Sequence, residues 1–278
     1  MASLCSPSPL LSCFACCPPI RPRNYDHLDH EAILKREFRA NRLDYLRNGP
    51  MFRPIVGFSC WALGFLDEEG RRAGCLLHPS RNGGQDLRFL IDYGEKCARE
   101  SCRAAKAFER LSAEVQDFWI SLVGDFDSFL FSSRRTNPLF HILLWGPPVL
   151  ERLHREAMDE NWSVRELLRR RTFITDPAWN PIAHRFLFRL ALESDAPKGH
   201  TCWVDETLCR ILQDRIHNHS AARPPSREES AVFTHLLPFE GDLLDFLRLD
   251  LGWEFAGYGA VRQLEAVIME MAGLLFRT

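Results

Sequence analysis

The amino-acid sequence predicts a mainly α-helical protein in two parts: an irregular Cys-rich module with a small β-hairpin over residues 1–102, packed on an all-helical domain over residues 103–278. Three observations carry this expectation. Of the ten cysteines, seven fall between Cys13 and Cys102, with Cys5 just upstream. Two short apolar runs, Ile55 to Leu66 and Ala73 to Leu77, flank the acidic turn Asp67-Glu-Glu-Gly70, which is the pattern of a hairpin. After Cys102, apolar residues return at three- and four-residue intervals, the period of an amphipathic helix.

From the amino terminus, residues 1–12, rich in Ser and Pro, are expected to be loosely ordered. Pro18-Pro19 and Pro22 keep the backbone extended, since proline donates no amide hydrogen and restricts its predecessor. A helix is then expected from Asp29, a candidate cap, with Ile33, Leu34, Phe38, Leu43 and Leu46 on one face; Asn48-Gly49-Pro50 stops it. The hairpin comes next and should bring the sulfurs of Cys60 and Cys75 near each other. Arg81-Asn-Gly-Gly84 reads as a loop and Gln85 to Ile91 as a short helix or irregular turn. A helix from about Arg103 to Phe131 is predicted by the stripe Phe108, Leu111, Val115, Phe118 and Leu122. Asn137-Pro138 and Gly146-Pro147-Pro148 punctuate the next stretch, and Val149 to Met158 reads as a helix. Ser163-Val-Arg-Glu166 is a capping-box pattern opening a helix over 164–171, and Ser226-Arg-Glu-Glu229 is another. Further helices are expected at about 178–193, 203–217, 240–249 and 259–275. No internal repeat is present.

Composition narrows the function classes. At 46% apolar and 26% charged the chain has an ordinary globular composition, and its net charge of -2 gives no global field favouring nucleic acid or an anionic membrane. Binding nucleic acid would need a local basic patch. Charges and prolines interrupt every hydrophobic stretch well short of the ~18 apolar residues of a spanning helix, so no membrane partner is expected. The amino-terminal residues lack a basic start, and Pro7 and Pro9 break their apolar patch, so they fail as a secretory signal; Leu10-Leu11-Ser12-Cys13 fails as a lipoprotein cleavage box for the same reasons. The expected compartment is therefore the reducing cytoplasm, where clustered cysteines are metal ligands or redox groups more often than disulfides.

Thiolates are soft ligands suited to zinc and iron–sulfur clusters, and a Cys-x2-Cys pair presents two sulfurs from one turn. Cys13 and Cys16 have that spacing. Cys17, Cys60, Cys75, Cys97 and Cys102, with His78, complete the candidate metal ligands, enough for two four-coordinate sites. A polynuclear centre, a second site, or exchanging ligands all fit the excess over four. The bland readings are buried cysteines or disulfides, and thiol redox chemistry is a further rival.

The segments Cys13-Phe-Ala-Cys16-Cys17, Cys60-Trp-Ala-Leu, Gly74-Cys75-Leu-Leu-His78-Pro79 and the later Cys97 together resemble the YkgJ-type zinc- or iron-chelating domain. The resemblance covers roughly residues 13–102. It implies a bacterial protein binding zinc or an iron–sulfur centre, with Cys13, Cys16, Cys17, Cys60 and Cys75 as matching ligands and Cys97 as the last. The opening box here has one cysteine fewer than the family's unless Cys5 substitutes. His78-Pro79 stands where the family has Tyr and Arg-Pro, and Cys97-x4-Cys102 is added. The biochemical role of such domains is mostly unassigned.

Other groups favour plainer readings. Cys202 and Cys209, seven apart on a helical pattern, read as core. His217-Asn-His219 sits at the end of a helical run without the context of a nuclease. His27 and His30 with Asp26 and Asp29 read as capping and solvation before a helix. The arginines of Arg165 to Arg171 read as a solvated helix end. Phosphate-cradling loops, Gly-x-Ser-x-Gly and His-Glu-x-x-His are absent. The sequence thus points to a metal-binding protein of unassigned role, with an iron–sulfur or dithiol redox enzyme and a metal-stabilised interaction module as the alternatives. Its substrate and protein partner are unspecified.

Overall fold

Side chains of helix α1 (His30–Asn48) hold the backbone of a small hairpin, β1 (Leu63–Phe65) paired antiparallel with β2 (Ala73–Cys75), and the amino-terminal half is built on this contact. The computed structural model describes residues 3–17, 27–55, 59–91, 102–193, 206–222 and 231–276. They fall into two compact units, Met1–Leu143 and Leu144–Thr278. The first unit therefore runs past the division expected at 102/103, because serines on a helix well beyond Cys102 bond to the cysteine-bearing backbone near residue 13.

Ile33 and Phe38 are the buried residues of α1. Leu43 and Leu46, expected on the buried face, are 58% and 62% exposed. The face turned to the hairpin is instead polar: Asn41 Nδ2 donates to the Leu63 carbonyl at 2.8 Å, Arg42 reaches the Phe65 carbonyl, and Tyr45 donates to Asn82. The Asn41 and Arg42 bonds satisfy outer carbonyls of a strand that has one partner. Asp29 makes no side-chain cap bond to the helix. The acidic turn closes on itself, since the Asp67 carboxylate accepts the amide hydrogens of Arg71 and Arg72 at 2.9 Å each.

Two paired glycines allow this packing. Gly64 faces Gly74 across the ladder. A Cβ on Gly64 would meet the Phe38 carbonyl oxygen at 3.1 Å and the Arg42 amide nitrogen at 3.3 Å, whereas one on Gly74 would meet Ser12 Cβ at 3.4 Å. Phe38 packs edge-on against Phe14 and Phe65, with ring centroids 5.4 and 5.6 Å apart, and Phe129 joins the same aromatic group.

The single helix expected over 103–131 is three: α2 (Arg103–Glu109), α3 (Ala113–Ile120) and α4 (Ser128–Ser132). Ser112 and Asp127 each cap a new start by accepting an amide hydrogen three residues on. Buried Gln116 stabilises the first break by donating to the carbonyls of Phe108 and Leu111. The short helix α5 (Leu139–Ile142) ends the unit. Residues 3–12, expected to be loose, form a folded loop with Leu4 and Leu11 buried and a bridge between Ser3 and Ser6.

The second unit contains α6 (Pro147–Asp159), α7 (Val164–Arg170), α8 (Pro181–Glu193), α9 (Glu206–Ala222), α10 (Gly241–Leu249) and α11 (Tyr258–Phe276). The Ser163–Glu166 capping box is formed as expected. The second capping-box pattern, at Ser226, lies outside the described residues. Phe186, Leu187, Leu212, Ile216, Leu243, Phe246, Val261 and Ile268 share one core. This unit is not wholly helical. Strands β3 (Val232–Phe233) and β4 (Phe255–Ala256) pair antiparallel, each too short to leave an alternating pattern in the sequence. Arg185 of α8 pairs with Asp242 and Asp245 of α10 at 2.7 and 3.0 Å. Nearby, the partly buried Asp250 carboxylate accepts from Gln213 at 2.8 Å and lies 2.9 Å from His184 Nε2 and 2.8 Å from His217 Nε2. Among the described residues no helix is long and apolar enough to cross a membrane.

This packing makes two outcomes measurable. Gly64→Ala should lower stability by about 1–3 kcal/mol, because the added methyl meets fixed helix backbone at Phe38 and Arg42 as well as the Leu76 side chain; urea unfolding of both proteins measures it. Burial pushes the Asp250 carboxyl up, but the hydrogen bonds from His184 and His217 outweigh it and hold the group below its usual range. A depressed folded pKa stabilises above the unfolded value of about 3.9 and is lost as pH falls through the folded value. Asp250→Ala should therefore cost about 1–3 kcal/mol near neutrality. Its unfolding midpoint should converge on that of the parent in strong acid.

Candidate functional site

The backbone around Cys13 is fixed before any chemistry is considered. Ser12 is buried and donates its hydroxyl hydrogen to the Ala73 carbonyl of β2 at 2.8 Å. A hydroxyl has one hydrogen to give, so Ser128 of α4 is the donor in its 3.0 Å contact with Ser12. One α-helical turn on, Ser132 Oγ accepts the Phe14 amide hydrogen at 2.9 Å. The Cys13 amide donates to the Cys5 carbonyl at 3.0 Å, which ties the amino-terminal loop to the same strand of chain. A turn from Phe14 to Cys17 then presents Cys16 and Cys17.

Thiols from five stretches of sequence meet around this backbone. Cys60 is a buried member of the core that contains Phe38 and the hairpin, and Cys17 and Cys75 pack against that core. Cys60 precedes strand β1 and Cys75 ends β2, and both share the surroundings of one core with Cys17. Cys16 and Cys17 share a thiol–thiol hydrogen bond. Cys5, which the sequence offered only as a substitute ligand, is an electrostatic neighbour of Cys13, Cys16 and Cys102. Cys102 caps α2, its sulfur accepting the Ala105 amide hydrogen at 3.3 Å. No disulfide joins the eight cysteines described, and Cys209 is fully buried in α9, as a core residue would be. Cys97 and Cys202 lie outside the described residues.

Burial sets the charge states. Desolvation pushes the Cys5 thiol up to about 11 and the Cys13 thiol up to about 12, and repulsion from neighbouring thiolates adds to both. Cys17 is raised too, first by the hydrogen bond with Cys16 and then by burial, with Cys75, Cys16 and Cys60 adding repulsion. Cys16 is the exposed thiol of the group. The Cys17 hydrogen bond lowers it to about 6 against the cost of burial, helped by the guanidinium groups of Arg134 and Arg88. Arg88 is also a neighbour of Cys5 and Cys75 and is anchored to Asp86 at 2.7 Å.

His78 is turned to another task. Its Nδ1 accepts the Ser80 amide hydrogen at 3.2 Å and lies 2.8 Å from Ser80 Oγ, capping a short 3-10 turn. Burial, and then Arg88, lower its pKa. As the side chains stand, no group of three or more His, Cys, Asp or Glu among the described residues is placed to hold a metal ion. What the first unit brings together is a set of neighbouring soft donors, of which Cys5, Cys13 and Cys17 hold their protons more tightly than usual, some bonded to each other or to backbone amides.

The remaining candidates resolve individually. Asp29 and His30 are exposed, and Asp26 and the side chain of His27 lie outside the described residues. Within the arginine run, Arg171 forms a pair with buried Glu156 at 2.6 Å and Arg170 lies over the Trp162 ring, so two of the expected solvated cations are structural. His217 joins His184 and Gln213 on Asp250, an arrangement that no spacing in the sequence announced.

In the metal-free chain, Cys16 should be alkylated before every other thiol named here. Its rate should rise through about pH 6 as the thiolate forms, while Cys5 and Cys13 stay protonated and slow at pH 7. Pulsed iodoacetamide labelling with peptide mass mapping reads this order.

No known family model matches the chain, and neither a curated protein nor a solved structure matches it.

Proposed function

We propose that this chain is a metal-binding protein that holds zinc or an iron–sulfur cluster through its clustered cysteines. One observation carries the reading: Cys5, Cys13, Cys16, Cys17, Cys60, Cys75 and Cys102, drawn from distant stretches of sequence, are electrostatic neighbours within one unit. Thiols repelling one another in a poorly solvated place are costly to ionise, and a soft cation removes that cost by accepting their lone pairs. The donor set therefore fits zinc or iron–sulfur chemistry. Cys13, Cys16, Cys17, Cys60 and Cys75 would be the first ligands to consider, with Cys5 and Cys102 beside them.

The protein's part in binding is proton release and rearrangement. Cys5 and Cys13 give up protons as they ligate, so affinity rises with pH, and Cys16 and Cys17 exchange their mutual hydrogen bond for metal bonds. A reducing compartment such as the cytoplasm keeps the thiols available. A second reading, a dithiol redox enzyme, draws on the exposed Cys16 thiol hydrogen-bonded to Cys17.

Anaerobic purification followed by elemental analysis and absorption spectroscopy separates the readings. Stoichiometric zinc in a colourless protein, or iron with visible absorption that bleaches on reduction, is the expected result. Cys60→Ser combined with Cys75→Ser should then lower metal content and loosen the first hundred residues, as chelation should. A protein that retains neither metal, and whose stability the double substitution leaves unchanged, would overturn metal binding. Loss of two thiols on mild oxidation of that same metal-free protein would favour the dithiol reading.

A further inference from the structure

We propose that Arg39, Arg42, Arg72 and Arg81, gathered at the end of strand β1, form a binding site for a phosphate monoester carried by a small molecule or a lipid head group. The site needs no metal at the thiols.

Hydrogen bonds bring these arginines to one place. Tyr45 of α1 donates its hydroxyl hydrogen to Asn82 Oδ1 at 3.2 Å, which holds the 3-10 turn Pro79–Arg81 beside the helix. Within a helical turn of Tyr45, Arg42 Nη1 donates to the Phe65 carbonyl at 3.4 Å. Next to Asn82, Arg81 Nη2 donates to the following carbonyl, that of Leu66, at 2.8 Å. The Leu66 amide in turn donates to the Arg72 carbonyl at 2.7 Å, which sets Arg72 across the hairpin from it. Arg39, one turn before Arg42, lies over the Phe65 ring, 5.9 Å from its centroid. Two successive residues, Phe65 and Leu66, are thus the meeting point of arginines from the helix, the second strand and the 3-10 turn.

Their charge is left uncompensated. Among the described residues, none of the four forms an ion pair with a carboxylate. Asp67, in the same turn, has its two oxygens taken by the amide hydrogens of Arg71 and Arg72. Arg72 Nε is buried without a hydrogen-bond partner, and burial, then the charge of Arg81, lowers the Arg72 pKa. A guanidinium carries five N–H donors, so Arg42 and Arg81 keep most of theirs after bonding a carbonyl. Those carbonyl bonds also hold both side chains in place before an anion arrives, which leaves less rotamer freedom to lose on binding. A phosphate monoester supplies what is missing, close to two negative charges on acceptor oxygens that match the guanidinium fork. An extended nucleic-acid strand fits less well: Phe65, the ring among these arginines, is 1% exposed and offers no face to a base. Glu68 and Glu69, exposed in the turn, would repel a row of phosphates running past it.

Titration of the reduced full-length chain with inorganic phosphate, against chloride at matched ionic strength, tests the site. Two readouts apply: the thermal unfolding midpoint, and phenylglyoxal labelling of arginines with peptide mapping. Phosphate should raise the midpoint and slow labelling of Arg39 and Arg81 by roughly threefold or more, as a ligand bound to the folded state does. Arg36 and Arg47, exposed on the same helix, should keep their rates. Arg39→Gln with Arg81→Gln should abolish the phosphate shift, whereas Arg36→Gln with Arg47→Gln, which removes equal charge, should preserve it. Should the first pair fail to fold by circular dichroism, Arg39→Gln alone, at a residue whose described contact is the Phe65 ring, takes its place. A parent with neither shift nor protection, or equal losses in both pairs, overturns the site. Vesicles of phosphatidylcholine with and without phosphatidic acid then separate the sources. Capture by phosphatidic acid that the Arg39/Arg81 substitutions abolish identifies a lipid head group, and phosphate binding without capture identifies a soluble ligand. A single-stranded oligonucleotide that binds through the same arginines, with no response to phosphate, overturns the phosphate monoester.

Discussion

The amino-terminal unit depends on one hydrogen-bond relay, from Ser128 through Ser12 to the Ala73 carbonyl. It clamps an irregular strand of chain between a helix and a hairpin edge. All three groups are buried, so each must find its partner inside the protein, and a change of register would strand a hydroxyl or a carbonyl without one. The glycine at position 74 leaves room for Ser12 to approach. Cys13 is the next residue, and its own amide secures Cys5. The position of the thiols is therefore a by-product of satisfying backbone and hydroxyl groups, which accounts for an ordered cysteine cluster without a disulfide among those described.

Electrostatics sorts these thiols into different chemical characters although their side chains are identical. Cys13 and Cys5 lie where solvation is poor and neighbours are of like charge, so they keep their protons. Cys16 has water, a donor thiol and two guanidinium groups, so it gives its proton up. Under the proposed metal binding, such a gradient would let a cation meet an ionised ligand first and displace protons from the others.

Much of this was legible in the sequence. The hairpin announced itself through two apolar runs around an acidic turn, and the Ser163–Glu166 box through its spacing. The helices of the second unit were legible from periodicity, with ends within a few residues. The failures have physical causes. The stripe from Phe108 to Leu122 is continuous in period, but Gln116 folds back to cap carbonyls and turns one helix into two. Leu43 and Leu46 fit the apolar face of α1, yet the hairpin's free carbonyls required Asn41 and Arg42 on the contacting side. Residues 3–12 looked loose by composition, yet Leu4 and Leu11 are buried and the Cys13 amide is bonded back to the Cys5 carbonyl. Cys5 was undervalued for that reason. The grouping of His184, His217 and Asp250 joins three separate stretches of chain and leaves no local signature.

That last grouping bears on metal selectivity within the molecule. The Asn180 amide donates to His184 Nδ1 at 3.0 Å, so in the neutral ring Nε2 keeps the hydrogen and offers it to Asp250. An approaching cation would meet a proton there instead of a lone pair. Capturing metal there would require the ring to exchange tautomers and surrender the Asn180 amide. The carboxyl-terminal unit thus holds a histidine whose two ring nitrogens are already committed, one to the Asn180 amide and the other to Asp250.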